Sequence, residues 1–403
     1  MWEQIRSNQM KSMMLVVALG LLLLGVGFML GWAFVDNGIA GLIIALIIWF
    51  FMNLFAYFQG GSMVLAISGA KKIGPDDHPR LWNVVEEMKI ASGLEKMPDV
   101  YIIDDPALNA FATGRDPQHA AVAVTSGLLQ KMNRDELQGV VAHEISHIRN
   151  RDVLLMTMCS VTLGAIVLLA WYGTRIMIFS GAGRGGRRGG GGGSGAAIII
   201  LVAIVLAILA PILAQLIYYA VSRKREYLAD ASGALYTRYP EGLASALEKI
   251  SGSTVELKSA NQAFAPMYTA NPFRKKGRAA EDLTSTHPPT SERIRILRSM
   301  AGGASLSAYN MAYSEVTKSG RGVVPGSALV GGQTVAVRKP GATEPEPEKV
   351  DRVRETSDLM WKMSNYGLVN CQCGTKIRVP PNYKGNTIRC PHCGTVNSMS
   401  SKH

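Results

Sequence analysis

The chain reads as a mostly α membrane protein: four transmembrane helices, an α+β domain held at one membrane face, and a small C-terminal module stapled by cysteines. Three observations predict this. Charged residues vanish over four long stretches, 12–35, 37–70, 153–174 and 189–222. Each contains an apolar core of about 20 residues, the length a helix needs to cross a bilayer. Between and after these stretches lie segments of ordinary composition that carry both helical and strand patterns. Four of the five cysteines gather near the C-terminus in two close pairs, Cys371 with Cys373 and Cys390 with Cys393.

The best apolar cores are Met14–Val35, Gly38–Phe58, Val153–Thr174 and Ala196–Val221. Buried core helices run nearer 10–14 apolar residues, so membrane spans fit these lengths better. The first core is long for a signal peptide, and no small-residue cleavage site precedes the second, so an uncleaved anchor is expected. Asp36-Asn37 turns the first two spans into a hairpin. His78 to Ser92 carries Leu81, Val84, Val85 and Met88 at helical spacing. Val100–Ile103 and Ala120–Val124 read as strands, with Asn109–Gly114 between them as an edge strand. A helix from Asn133 leads into the second hairpin, whose tip, Gly181–Gly195, is a Gly/Arg-rich loop of linker composition. Helices then follow from Arg223 toward Leu235, over Gly242–Ile250 and over His287–Met300. The pattern weakens beyond residue 300, and Lys339–Glu348 has the Pro- and Glu-rich composition of an extended linker. The expected domains are therefore a membrane hairpin at 1–70, a main domain at 71–300 interrupted by the second hairpin, a weakly structured linker at 301–350 and a cysteine module at 351–403.

The net charge of +12 suits a membrane protein, because basic residues collect on the cytoplasmic side of spans. With two hairpins, the flanks Arg6/Lys11, Lys71/Lys72/Arg80, Arg149/Arg151 and Arg223/Lys224/Arg225 share one side. The loop that carries Arg175, Arg184, Arg187 and Arg188 opposes this from the other side. The majority puts both termini in the cytoplasm.

Chemistry enters at VVAHEISHIRNRD, which holds His143, Glu144 and His147. HExxH on a helix puts two imidazoles on one face, one turn apart, where both reach a single zinc, with a carboxylate beside the metal's water. Asn133 and Glu136 form a capping-box pattern, and Leu137, Val140, Val141, Ile145 and Ile148 recur at helical spacing. Catalytic zinc needs a third protein ligand. Glu226, in SRKREYLADASG, is the best candidate, with Asp230 one turn on. This is the ExxxD pattern of gluzincins, in which the Asp orients a ligand imidazole. The chain between His147 and Glu226 is essentially one membrane hairpin, so an even number of crossings returns Glu226 to the side of His143. The soluble part is thus expected to be a gluzincin-like α+β domain.

NAFATG, VVAHEISHIRNRD, REYLADASGA and THPPTSERI, in this order and interleaved with two hairpins, resemble the HtpX-type membrane zinc metalloproteases, relatives of the CAAX prenyl proteases. The resemblance covers about residues 1–300. It implies a zinc endopeptidase of a bacterial or archaeal inner membrane, its active site in the cytoplasm, acting in stress response on misfolded or damaged membrane proteins. It implies one catalytic zinc on His143, His147 and Glu226, with Glu144 as general base. It sets Asn109, with Ala110 and Phe111, along a substrate cleft, and His287 and Arg293 at the oxyanion. Asp152 would orient the HExxH helix by hydrogen bonding or, equally, form a membrane-proximal salt bridge.

The cysteine pairs, Cys371-Gln-Cys373-Gly and Cys390-Pro-His-Cys393-Gly, resemble a zinc ribbon with one structural zinc. The first pair is CxC where CxxC is commoner. Disulfides are the alternative, which a reducing cytoplasm disfavours. His392 reads as a bystander, and Cys159, inside the third span, as a small apolar residue. The module would dock substrates, other quality-control proteases or adaptors, or sense zinc or redox state. Its basic residues Lys376, Arg378, Lys384 and Arg389 are too common in structural ribbons to argue for nucleic acid. The alternative to a protease is a membrane-anchored binding or scaffold protein whose zinc sites are structural.

Overall fold

The computed structural model describes residues 2–158, scattered positions from 161 to 175, then 223–258, 267–269, 287–300, 303–318 and most of 322–398. The chain opens with two antiparallel helices, α1 (Trp2–Val35) and α2 (Gly38–Ile67). Asn37 starts α2, its side-chain oxygen accepting the Ala40 N–H at 3.0 Å. Glycines let the two backbones approach closely, since a Cβ on Gly41 would lie 2.2 Å from the Gly27 carbonyl oxygen. Among the described residues, α2 is the one helix long and apolar enough to cross a membrane, while the apolar part of α1 is the shorter Val16–Trp32. Ile43, Ile47, Phe50, Phe51, Phe55 and Phe58 stand exposed along α2, as on a helix whose solvent is lipid. The expected third span is described mainly at its start, as helical residues 152–158. The fourth span (196–221) and the loop 181–195 lie outside the described residues.

A four-stranded sheet follows, formed by β1 (Ala70–Lys72), β2 (Asp99–Ile103), β3 (Ala110–Gly114) and β4 (Ala120–Thr125), in the order β1-β2-β4-β3. β2 and β4 run parallel, and the other pairs are antiparallel. β3 is thus an edge, as its sequence suggested. Alternation divides the side chains between two faces. Val100, Ile102, Val122 and Val124 join one core with α3 (Pro79–Ser92) and α5 (Arg134–Arg149), which follows the short α4 (Ser126–Lys131). Ile103, Phe111, Ala121 and Ala123 face the other way and pack with Val64 and Leu65 of α2. The last turns of the apolar helix therefore bear directly on the sheet.

α5 has the expected capping box, with Asn133 accepting from the Glu136 N–H at 2.8 Å and Glu136 from the Asn133 N–H at 2.9 Å. Helical residues 223–237 (α6), α7 (Pro240–Gly252) and α8 (Thr290–Arg298) build a second core around Tyr227, Leu243, Leu247 and Ile296.

The weakly patterned stretch after residue 300 contains a helix, α9 (Leu306–Thr317), capped by Ser305 and anchored in this second core by Ala308, Ala312 and the fully buried Tyr309. Its stripe is too short and too rich in small residues to stand out as a period. α10 (Lys349–Met363) begins near the expected module boundary, but Leu359 enters the first core and Thr356 lies at His78, so this helix belongs to the body of the protein. Two small hairpins complete the chain, β5 (Gly367–Asn370) with β6 (Lys376–Val379) and β7 (Thr387–Arg389) with β8 (Val396–Ser398).

Candidate active site

α5 presents His143 and His147 one turn apart, and α6 lies against it. Gly233 of α6 faces the His143 backbone, where a Cβ would meet the His143 nitrogen at 3.3 Å, so the two helices run close together. Glu226 is thereby brought between the imidazoles, with Oε2 3.5 Å from His143 Nε2 and Oε1 3.4 Å from His147 Nε2. Ligand atoms each about 2.0–2.1 Å from a tetrahedral zinc stand about 3.3 Å apart, so the spacing fits the ion. His143 Nε2 and Glu226 Oε2 are buried without a hydrogen-bond partner, an arrangement that is costly unless something else satisfies them. The donor set, two imidazoles and a carboxylate, is that of a catalytic zinc site.

A carboxylate stands behind each ring, at hydrogen-bond distance for His143 and at ion-pair distance for His147. Asp230 Oδ1 lies 2.9 Å from His143 Nδ1, and Asp152 Oδ2 lies 3.5 Å from His147 Nδ1. Burial by itself would lower the pKa of both imidazoles. Asp230 and Glu226 outweigh it at His143, and Asp152 and Glu226 push His147 up to about 10. Burial would raise Glu226, but His287, His143 and His147 hold it well below the usual carboxylate range. The pocket is built to hold positive charge.

Arg293, expected at the oxyanion, is fully buried beside the cluster. Its guanidinium forks onto Asp230, Nε 2.8 Å from Oδ2 and Nη2 2.7 Å from Oδ1, with Nη1 3.5 Å from Glu226 Oε2 and 3.5 Å from the Thr269 carbonyl oxygen. This fully buried pair outweighs the effect of burial and holds Asp230 ionised. His287 does reach the centre, with Nε2 3.7 Å from Glu226 Oε2, and burial pushes it down to about 4 against the pull of Glu226. Glu144 is 1 % exposed, and its Oε1 accepts from the Thr269 hydroxyl at 2.6 Å. Thr269 was not singled out in the sequence, where no local pattern marks it. Asn109 is buried. Its side-chain oxygen accepts from the Ala110 N–H, and its backbone is locked to Thr125. Phe111 is buried against Tyr268, and the Ala110 carbonyl faces Thr269.

Residues 75–301 match the model of Peptidase family M48. The chain belongs to peptidase family M48. It is a metalloprotease, which sets aside the scaffold alternative. The M48 match spans His143, Glu144, His147, Glu226, Asp230, His287 and Arg293, and ends before α9. The chain is 45% identical over 299 residues to a "Protease HtpX homolog" of Dictyoglomus turgidum, covering 74% of this chain and 94% of that one. Similar proteins of the same description occur in Caldanaerobacter subterraneus subsp. tengcongensis (45% over 300 residues, 74% and 98% covered) and Streptococcus pneumoniae (44% over 301 residues, 74% and 100%). Among solved structures, that of S. mikatae Ste24p shows a distant likeness, with a TM-score of 0.40 and 17% identity over 74% of this chain and 67% of that one.

A second cluster lies outside the M48 match. Cys371 Sγ is 3.5 Å from Cys393 Sγ, and Cys373 Sγ is 3.7 Å from Cys390 Sγ, with no disulfide among the four. Thiolates about 2.3 Å from a tetrahedral zinc stand about 3.8 Å apart. Two matching turns build the cluster. In each, a Cys N–H (Cys371, Cys390) donates to a threonine carbonyl (Thr375, Thr395), and a glycine at positive φ (Gly374 at 83°, Gly394 at 77°) closes the turn.

Proposed function

We propose that this membrane zinc protease cleaves misfolded or damaged membrane proteins at the cytoplasmic membrane surface, with His143, His147 and Glu226 holding its zinc. The observation that carries the proposal is the intact Glu144 beside a three-ligand cluster whose sheet is packed onto the end of an apolar helix long enough to span a bilayer. When bound, zinc supplies Lewis-acid activation of water and of the scissile carbonyl. Glu144 takes the proton from the attacking water and passes it to the leaving amine. His287 donates its ring N–H to the developing oxyanion. Arg293 fixes Asp230, which fixes His143, and its Nη1, 3.5 Å from Glu226 Oε2 and from the Thr269 carbonyl oxygen, is the donor it would turn to the oxyanion.

A substrate strand pairs with the Asn109–Gly114 edge through main-chain hydrogen bonds. Ala110 and Phe111 carry this contact, and recognition depends on unfolded backbone more than on a side-chain code. Four spans in two hairpins, both termini in the cytoplasm, follow from the charge-free stretches and their basic flanks. The cysteine module holds a second, structural zinc and serves to dock substrates, other proteases or adaptors. The test is a proteome comparison of strains carrying wild type or Glu144→Gln. Membrane proteins that accumulate in the variant, with fragments only in wild type, support the proposal. Substrates confined to soluble proteins overturn it.

A further inference from the structure

The edge strand that should receive substrate already has a neighbour. Tyr268 pairs with Phe111 in an antiparallel bridge, and the Thr269 N–H donates to the Ala110 carbonyl at 2.8 Å. The Tyr268 ring stands edge-on to Phe111, centroids 5.2 Å apart, and its hydroxyl lies 3.2 Å from Ser68 Oγ at the end of α2. The same short segment touches Glu144, His287 and Arg293. The Thr269 hydroxyl lies 2.6 Å from Glu144 Oε1 and 2.9 Å from the Ala110 carbonyl oxygen, so its one proton serves one of them at a time. The His287 ring meets the Tyr268 backbone, and Arg293 Nη1 lies 3.5 Å from the Thr269 carbonyl oxygen. Tyr268 and Thr269 are each 2% exposed.

We infer that Met267–Thr269 is an internal pseudosubstrate strand, which occupies the β3 edge and the Glu144 carboxylate until an unfolded protein segment displaces it. The inference rests on the reading of β3 as the substrate edge. A strand edge offers each backbone carbonyl to one neighbouring strand, so the internal segment and an incoming peptide compete for Ala110. The competition raises the apparent KM by the reciprocal of the open fraction and leaves turnover of bound substrate alone. A tight occupant also confines proteolysis to segments that pair well with the edge, which folded proteins do not offer.

Thr269→Val keeps the backbone donor and removes the hydroxyl; Thr269→Pro removes both. Cleavage of a quenched fluorescent peptide of unstructured sequence is measured with detergent-purified, zinc-loaded full-length protein. Thr269→Val should lower KM about fivefold and Thr269→Pro tenfold or more, whatever the loss of the hydroxyl beside Glu144 does to kcat. An unchanged or raised KM with reduced kcat in both variants, or in Thr269→Val alone if the proline variant misfolds, makes the segment ordinary scaffolding and overturns the inference. If zinc-loaded wild type cleaves nothing, the protease reading fails, and hydrogen exchange decides on the segment separately. Saturation with an extended peptide ending in a hydroxamate should then expose the Met267–Thr269 amides. Continued protection in the saturated complex, or no binding of that peptide to wild type and Thr269→Val alike, counts against the pseudosubstrate.

Discussion

Asp230→Asn isolates what holds the metal site together. Asp230 is fully buried and accepts from two sides, with Oδ1 2.9 Å from His143 Nδ1 and 2.7 Å from Arg293 Nη2, and Oδ2 2.8 Å from Arg293 Nε. Asparagine keeps the shape and loses the charge. Whichever way its amide turns, an NH2 group faces an Arg293 donor. Loosening the partner of a metal-bound imidazole costs about 10–100-fold in metal affinity, or about 1.4–2.7 kcal/mol. Removing one charge of a buried pair costs about 3–5 kcal/mol in stability. Here the low end applies, because Arg293 retains Glu226 at 3.5 Å. Zinc affinity is read by competition with a fluorescent chelator on detergent-purified protein, and stability by melting of the same samples. The double variant Asp230→Leu/Arg293→Met removes both charges, and should recover stability while zinc affinity stays low. A zinc Kd within twofold of wild type for Asp230→Asn, with an unchanged melting temperature, would refute the reasoning.

Glu226→Ala should lower the zinc content from two ions per chain to one, the remaining ion being lost on mutation of the cysteine cluster, Cys371, Cys373, Cys390 and Cys393. Elemental analysis that still finds two ions in Glu226→Ala removes Glu226 from the ligand set. Gly139→Ala puts a Cβ 2.6 Å from the Leu243 backbone nitrogen and should destabilise the α5–α7 contact by about 1–3 kcal/mol; a melting temperature at the wild-type value would contradict this. His78 is fully buried, and its Nδ1 accepts the Leu81 N–H at 3.2 Å, with the Glu355 carboxylate 3.7 Å away and Arg80 nearby. Burial, and then Arg80, lower its pKa to about 4. A ring that resists protonation in the fold gives stability that is whole above about pH 6.5 and is lost as pH falls toward 4, by at most about 3 kcal/mol. Proteolysis within α10, which packs over His78, should therefore quicken between pH 7 and 5 in wild type and not in His78→Asn; equal pH dependence in the two speaks against His78 as the cause.

The parts of the fold that local chemistry dictates were legible. The capping box and apolar stripe of α5, the strands around NAFATG and the helix that carries Glu226 are all written within single turns or alternations. Glu226 was expected beside the histidines for a topological reason, since a hairpin would return the chain to its starting side, and it does lie between them. Contacts made only by tertiary proximity were not. Arg293 and His287 share a helix start in sequence, but nothing local says that the guanidinium meets Asp230, which lies on α6. Thr269 sits in a segment without periodicity, and its meeting with Glu144 exists only in three dimensions. The seating of the sheet on Val64 and Leu65 was hidden for a different reason, because a helix end that packs on protein and one that faces lipid use the same apolar residues. α9 escaped because alanine and tyrosine at its buried positions give little contrast with its neighbours.

The most direct test of the central claim compares wild type with Glu144→Gln on one unfolded membrane-protein substrate, both proteins in detergent at matched zinc content. The account predicts equal metal binding, an equal melting temperature and a cleavage rate reduced at least about a hundredfold in the variant. Equal cleavage by the two proteins, at equal zinc, would contradict the assignment of Glu144 as the base and with it the reading of this site as the place where peptide bonds are cut.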